Sequence, residues 1–130
     1  MKRKNLLVVM FILFFCNVVF GEDNYETGLE YTRNKDYENA KIYLQKAYNE
    51  DHSLWAAYYL GVIYNEVDND FDSAEKYLKS AVNLEIGNVY NYLGFFYAKY
   101  NKQDTAKKYF LLSTETGDFA APRTLGLIYE

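Results

Sequence analysis

After residue 21 the apolar positions recur at helical spacing and do not alternate as in a strand. Three alanines mark one pattern: Ala40, Ala74 and Ala106. Each has tyrosine three residues on (Tyr43, Tyr77, Tyr109) and a large apolar residue at four (Leu44, Leu78, Phe110). A small residue follows at seven: Ala47, Ala81 and Ser113. Offsets of 0, 3, 4 and 7 trace one face of a helix. A second pattern centres on Gly28, Gly61, Gly94 and Gly126, each followed three residues later by tyrosine: Tyr31, Tyr64, Tyr97 and Tyr129. Leu60, Leu93 and Leu125 precede three of these glycines, and Ala56, Val89 and Ala121 stand five residues before them. The glycines lie 33, 33 and 32 residues apart. A period of that length signals a repeat architecture. Each unit reads as a helix around the glycine, a short turn, and a second helix around the alanine.

Helix starts fall where this reading needs them. Asp36 precedes "YENA", Asp70 or Asp72 precedes "SAEKYL", and Asp118 precedes "FAAPRTL". Each offers a carboxylate to the unpaired amides of a first turn. Pro122 stands near the start of its helix, where proline is least disruptive. Glycine inside a helix costs about 1 kcal/mol relative to alanine, so its recurrence needs a reason. Ala56, Leu60 and Tyr64 form one stripe of the second glycine helix, with Gly61 at its edge. A missing side chain there lets a neighbouring helix approach closely.

The first 21 residues are of a different kind. Lys2, Arg3 and Lys4 precede an apolar run from Leu6 to Phe15, and Val19 and Gly21 occupy the −3 and −1 places of a cleavage site. This reads as a secretory signal peptide, residues 1–21. The apolar stretch is too short for a typical membrane span. Cys16 raises a minor alternative, lipid attachment, for which Phe15 is a poor neighbour. Residues 22–130 then form the domain, with units at about 22–53, 54–86 and 87–118 and a terminal half unit at 119–130. They contain no cysteine, which excludes a disulfide framework. They carry 11 basic and 18 acidic side chains, a net charge of −7, and so lack the basic footprint of a nucleic-acid binder.

The segments "AAYYLGVIY", "VYNYLGFFY" and "APRTLGLIY" follow the pattern A-x-x-x-L-G-x-x-Y, with valine for the first alanine in the second. Here the chain resembles tetratricopeptide repeats and their Sel-like relatives, from about Tyr25 to Glu130. The spacing from glycine to alanine matches the shorter tetratricopeptide turn. Sel-like repeats usually have a longer, glycine-rich turn there. The resemblance implies an all-α fold, an α-solenoid of antiparallel helix pairs with about three and a half repeats, whose glycine helices line a concave face that holds peptides or partner segments.

Helical geometry puts residues three before, one after and four after each glycine opposite the alanine–leucine–tyrosine stripe. That face gives Tyr25, Leu29 and Thr32; Tyr58, Val62 and Asn65; Asn91, Phe95 and Ala98; and Arg123, Leu127 and Glu130. Trp55 lies one turn before Tyr58, and Lys99 stands at the end of the third glycine helix. Tyrosine and tryptophan suit partner anchoring because they are large, stiff and amphipathic. The expected groove is therefore Tyr25, Leu29, Trp55, Tyr58, Val62, Asn65, Asn91, Phe95, Lys99 and Arg123. Packing between helices is the competing role for Leu29, Val62 and Phe95. The terminal Leu127 and Ile128 fit a capping helix or a self-association surface.

Chemistry narrows the function further. His52 is the single histidine and falls between the first two units. A zinc cluster or a nucleophile–base pair lacks its parts, so neither enzyme activity nor a cofactor or metal is expected. The run from Asp68 imitates the opening of a calcium loop, but Ser73 and Lys79 stand where glycine and glutamate are required. The expectation is an exported protein-interaction module, secreted or periplasmic and of bacterial type, with another protein or peptide as partner. Membrane contact would come only through an uncleaved or lipidated N-terminus. The alternative is an inhibitor or immunity protein for an exported enzyme, for which the negative charge would speed encounter with a basic target.

Overall fold

The computed structural model describes Asn5, Val8, Val9 and residues 23–117. The segment read as a signal peptide, Cys16 included, and the residues read as a terminal half unit, with Asp118, Arg123, Leu125, Gly126 and Tyr129, lie outside the contiguous described residues. Within residues 23–117 the chain is all-α. Helix α1 (Asn24–Arg33) is followed by α2 (Tyr37–Asp51), α3 (Leu54–Glu66), α4 (Phe71–Ala81), α5 (Gly87–Lys99) and α6 (Gln103–Thr116), with a 3₁₀ turn at Val82–Leu84 after α4.

Side-chain caps start the first four helices. Asp23 accepts from the amides of Tyr25 and Glu26, Asp36 from Asn39, Ser53 from Ala56 and Asp70 from Ser73. Asp70 therefore caps α4, and Asp72 lies in its first turn, where a negative charge favours the helix dipole. The five turns between helices share one device, a residue in the left-handed region: Lys35, His52, Asn69, Glu85 and Asn101, and Gly117 ends α6 in the same conformation. Such a residue turns the chain sharply and lets a following amide reach back to a late helix carbonyl. Asp36 N donates to Tyr31 O, Asp70 N to Tyr64 O and Lys102 N to Tyr97 O, each at 2.9 Å. The repeated tyrosine is thus also the backbone acceptor that closes its turn. The middle turn spans one extra residue, which accounts for the longer spacing from Gly61 to Ala74.

Neighbouring helices pair as α1 with α2, α3 with α4 and α5 with α6, and α2 also packs on α3. In each pair the two sequence patterns meet at the glycine. A Cβ built on Gly28 would lie 2.7 Å from Leu44 Cγ, one on Gly61 2.5 Å from Leu78 Cγ, and one on Gly94 2.5 Å from Phe110 Cδ1. The large apolar residue of the alanine helix thus fills the space that the glycine leaves open. One turn further on, the paired tyrosines stack: Tyr31 on Tyr43 at 5.4 Å, Tyr64 on Tyr77 at 5.7 Å and Tyr97 on Tyr109 at 5.6 Å between centroids. Each aromatic pair adds about 0.5–1.5 kcal/mol beyond its buried area.

The core follows from this arrangement. Ala40, Leu44 and Ala47 of α2 pack with Ala56, Ala57, Leu60 and Ile63 of α3. Ala74, Leu78 and Ala81 of α4 pack with Val89, Tyr92, Leu93 and Phe96 of α5, and Ala106 of α6 joins them. The small residues let the helices approach, and leucine and the aromatics fill the remainder. Among the described residues, no helix is long and apolar enough to cross a membrane.

Candidate functional site

The C-terminal ends of α1 and α3 leave a cavity of about 450 Å³ between them. Leu29, Thr32 and Arg33 of α1 line one side, Tyr59, Val62, Ile63 and Glu66 of α3 the other, and Lys35, Tyr37 and Val67 complete it. The walls are largely apolar. Arg33 and Lys35 are exposed, and the Arg33 guanidinium is held by Glu30 at 2.9 Å.

Glu66 is the unusual member. Its Oε1 is buried and has no hydrogen-bond partner among the described residues. Burial pushes its carboxyl up to about 7, and Lys99 only partly offsets this. An acid raised in the folded state binds more protons than the unfolded chain between its two pKa values. Its ionisation therefore lowers stability as pH rises from about 4.5 to about 7, and the penalty persists above that window. Glu66 is half-buried, so solvent screening reduces the penalty to about 1–2 kcal/mol. Glu66→Gln is expected to raise the urea midpoint near pH 8 and leave it nearly unchanged near pH 4. An equal gain at both pH values would rule out desolvated charge as the cause.

Beside the cavity, α3 and α5 are joined by a buried polar cluster around Asn65, which is 2% exposed. Asn65 Nδ2 donates to the Tyr92 hydroxyl at 2.9 Å, and Asn65 Oδ1 accepts from the Tyr100 hydroxyl at 3.1 Å and from Lys99 Nζ at 3.0 Å. Lys99 Nζ also donates to Asn65 O and to Asn69 Oδ1. Burial raises Tyr92 well above the usual phenol range, so its hydroxyl stays protonated.

The structure distributes the sequence-derived groove residues over different environments. Leu29 and Val62 meet in the cavity, although Val62 is only 5% exposed. Tyr25 is half-buried, with its ring 6.2 Å from that of Tyr59, and burial raises its hydroxyl to about 12. Trp55 is 38% exposed and stands edge-on to Tyr58. Tyr58 itself is 3% exposed and packs edge-on against Tyr92, so it joins helices instead of presenting an open face. Asn65 and Lys99 are brought together at the α3–α5 seam, where Asn65 is buried and Lys99 stays exposed. Asn91 is half-buried on α5, and Phe95 is half-buried with its ring edge-on to Phe110. This distribution has one physical reason. The middle glycine helix is covered by α1 on one side and α5 on the other, so its residues at Tyr58 and Asn65 point into the α3–α5 seam.

Sequence reasoning missed Arg33, Lys35, Tyr37, Tyr59, Ile63, Glu66 and Val67 as cavity residues. The available signal was spacing: Glu66 lies four residues after Val62, and Tyr59, Ile63 and Val67 form a second row at the same interval. Elsewhere, His52 is an exposed residue at the end of α2, and Asp68 pairs with Lys41 at 2.8 Å in the turn after α3. Among the described residues no group of three metal-ligating side chains gathers. Comparison with protein-family models, with curated proteins and with solved structures finds no match to this chain.

Proposed function

We propose that this chain is an exported interaction module of the tetratricopeptide or Sel-like kind, a solenoid that receives a segment of a partner protein against its glycine helices. The observation that carries the reading is the apolar cavity between α1 and α3, opened by the same helices whose glycines set the repeat. Its size falls in the range of recognition pockets, and its walls combine apolar area with a few polar groups that orient a guest. The reading is supported by the contacts between successive glycine helices, Tyr25 with Tyr59 and Tyr58 with Tyr92. The N-terminal segment supports export.

Selection of a random displayed peptide library on the full-length chain tests this function. Enriched peptides are expected to lose about tenfold in affinity when Leu29→Ala and Val67→Ala are combined, which thins both walls of the cavity. Peptides that bind the double variant as tightly as the wild type place recognition elsewhere.

A further inference from the structure

We infer that the cavity between α1 and α3 takes a lysine or arginine side chain of the partner segment, with its stem on the apolar walls and its charged head on Glu66. This rests on the interaction-module reading and specifies which side chain anchors the guest. The geometry has two parts. Leu29, Tyr59, Val62, Ile63 and Val67 supply an apolar channel. Glu66 also lines it, and the Oε1 of its carboxyl is buried and lacks a hydrogen-bond donor. A long basic side chain matches both parts, because its methylenes cover apolar surface while its head donates several hydrogen bonds.

The charges nearby leave this place open. Arg33 is engaged by Glu30, and Lys35 is exposed on the turn after α1. Lys99 is the cation that favours ionised Glu66, yet its ammonium donates to Asn65 and Asn69 and not to the Glu66 carboxyl. An incoming ammonium or guanidinium would supply the missing donor once the half-buried Glu66 side chain turns its carboxyl towards the cavity. Ionised Glu66 is costly in the free protein and is stabilised by the guest, so recognition of a basic side chain selects the charged form. A neutral guest of the same length gains only the apolar part. The net charge of −7 over residues 22–130 adds a general attraction for basic segments.

The test uses the full-length chain labelled with ¹⁵N and four blocked amino acids as probes. These are the N-acetyl methylamides of arginine, lysine, norleucine and glutamate. The arginine and lysine probes are expected to shift the amides of Leu29, Ile63, Glu66 and Val67 saturably near pH 8. Their affinity should be about tenfold higher than that of norleucine, and Glu66→Gln should erase that advantage. Equal binding of norleucine, preferred binding of glutamate, or an undiminished advantage in Glu66→Gln overturns the assignment.

A second readout needs no variant. Affinity of the wild type for the arginine probe should fall about tenfold between about pH 8 and about pH 6, as Glu66 takes up its proton, while norleucine binding stays level. A level arginine profile also overturns the assignment. The other titratable or charged groups around Glu66 are Lys99 and Tyr92 on α5, Arg33 and Lys35 on α1 and its turn, Tyr37 on α2 and Tyr59 on its own helix. Loss of the pH response in Glu66→Gln separates its titration from theirs. The two proposals fail differently. Selected peptides that occupy the cavity without a basic residue refute the Glu66 assignment and leave the module reading intact. Basic probes that fill the cavity while no selected peptide uses it do the reverse.

Discussion

Gly61→Val is expected to lower the stability of the full-length chain by about 3 kcal/mol, read as a reduced urea midpoint with an unchanged slope. Two effects compete. Replacing a mid-helix glycine gains roughly 0.5 kcal/mol of helix propensity with valine, less than with alanine. Against it stands a collision: a Cβ at this position falls 2.5 Å from Leu78 Cγ and 3.3 Å from Ala74 O. Leu78 is fully buried, and the Ala74 carbonyl belongs to the α4 backbone, so the clash is relieved only by separating the two helices. Valine adds two methyl groups to that contact. The steric term wins because the atoms in the way are held by packing on both sides. A second substitution isolates the cause. Leu78→Ala by itself should cost about 2–5 kcal/mol through the void it leaves. In the Leu78→Ala background Gly61→Val should cost much less than in the wild type, because its methyl groups occupy that void. Equal costs in the two backgrounds would mean that the Gly61–Leu78 contact is not what the glycine provides.

Asn65→Ala is expected to cost about 2–3 kcal/mol. Asn65 has two roles at the α3–α5 seam. Its amide nitrogen donates to the Tyr92 hydroxyl, and its Oδ1 accepts from Tyr100 and Lys99. Truncation removes all three bonds and leaves Tyr92, a fully buried tyrosine, with an unsatisfied hydroxyl. Lys99 keeps the Asn65 carbonyl and Asn69, so its charge is not stranded. Tyr92→Phe removes one bond of the same cluster and should cost about 1 kcal/mol. The double variant should cost less than the sum of the singles, since both lose the shared Asn65–Tyr92 bond. Additive losses in a denaturant cycle would show that the two side chains stabilise the seam independently.

Much of the helix layout was readable from spacing. Offsets of 3, 4 and 7 decide which residues share a helix face whatever lies opposite, and aspartate before such a run supplies a cap from the chain itself. The glycine-plus-tyrosine pattern also pointed to close helix approach. What stayed hidden was the identity of the contacts. Leu44, Leu78 and Phe110 were recognisable as one repeated position, yet nothing along the chain says that they sit over Gly28, Gly61 and Gly94. The candidate site was harder to read. Leu29 and Val62 were named from the helical wheel and do meet in the cavity, whereas Tyr58 and Asn65 from the same wheel lie buried. Glu66 resembled an ordinary acid at the end of a helix, because its burial comes from residues distant along the chain.

By itself the amino-acid order determined the all-helical pattern, the period, the likeness of the units and the absence of cysteine chemistry in residues 22–130. These are properties of local spacing and of composition, and they need no neighbour to exist. The tertiary structure decided which helix faces were covered, where the cavity opened, and that one carboxyl stood desolvated beside it. Burial depends on what other helices bring to the same place, and desolvation has no one-dimensional signature.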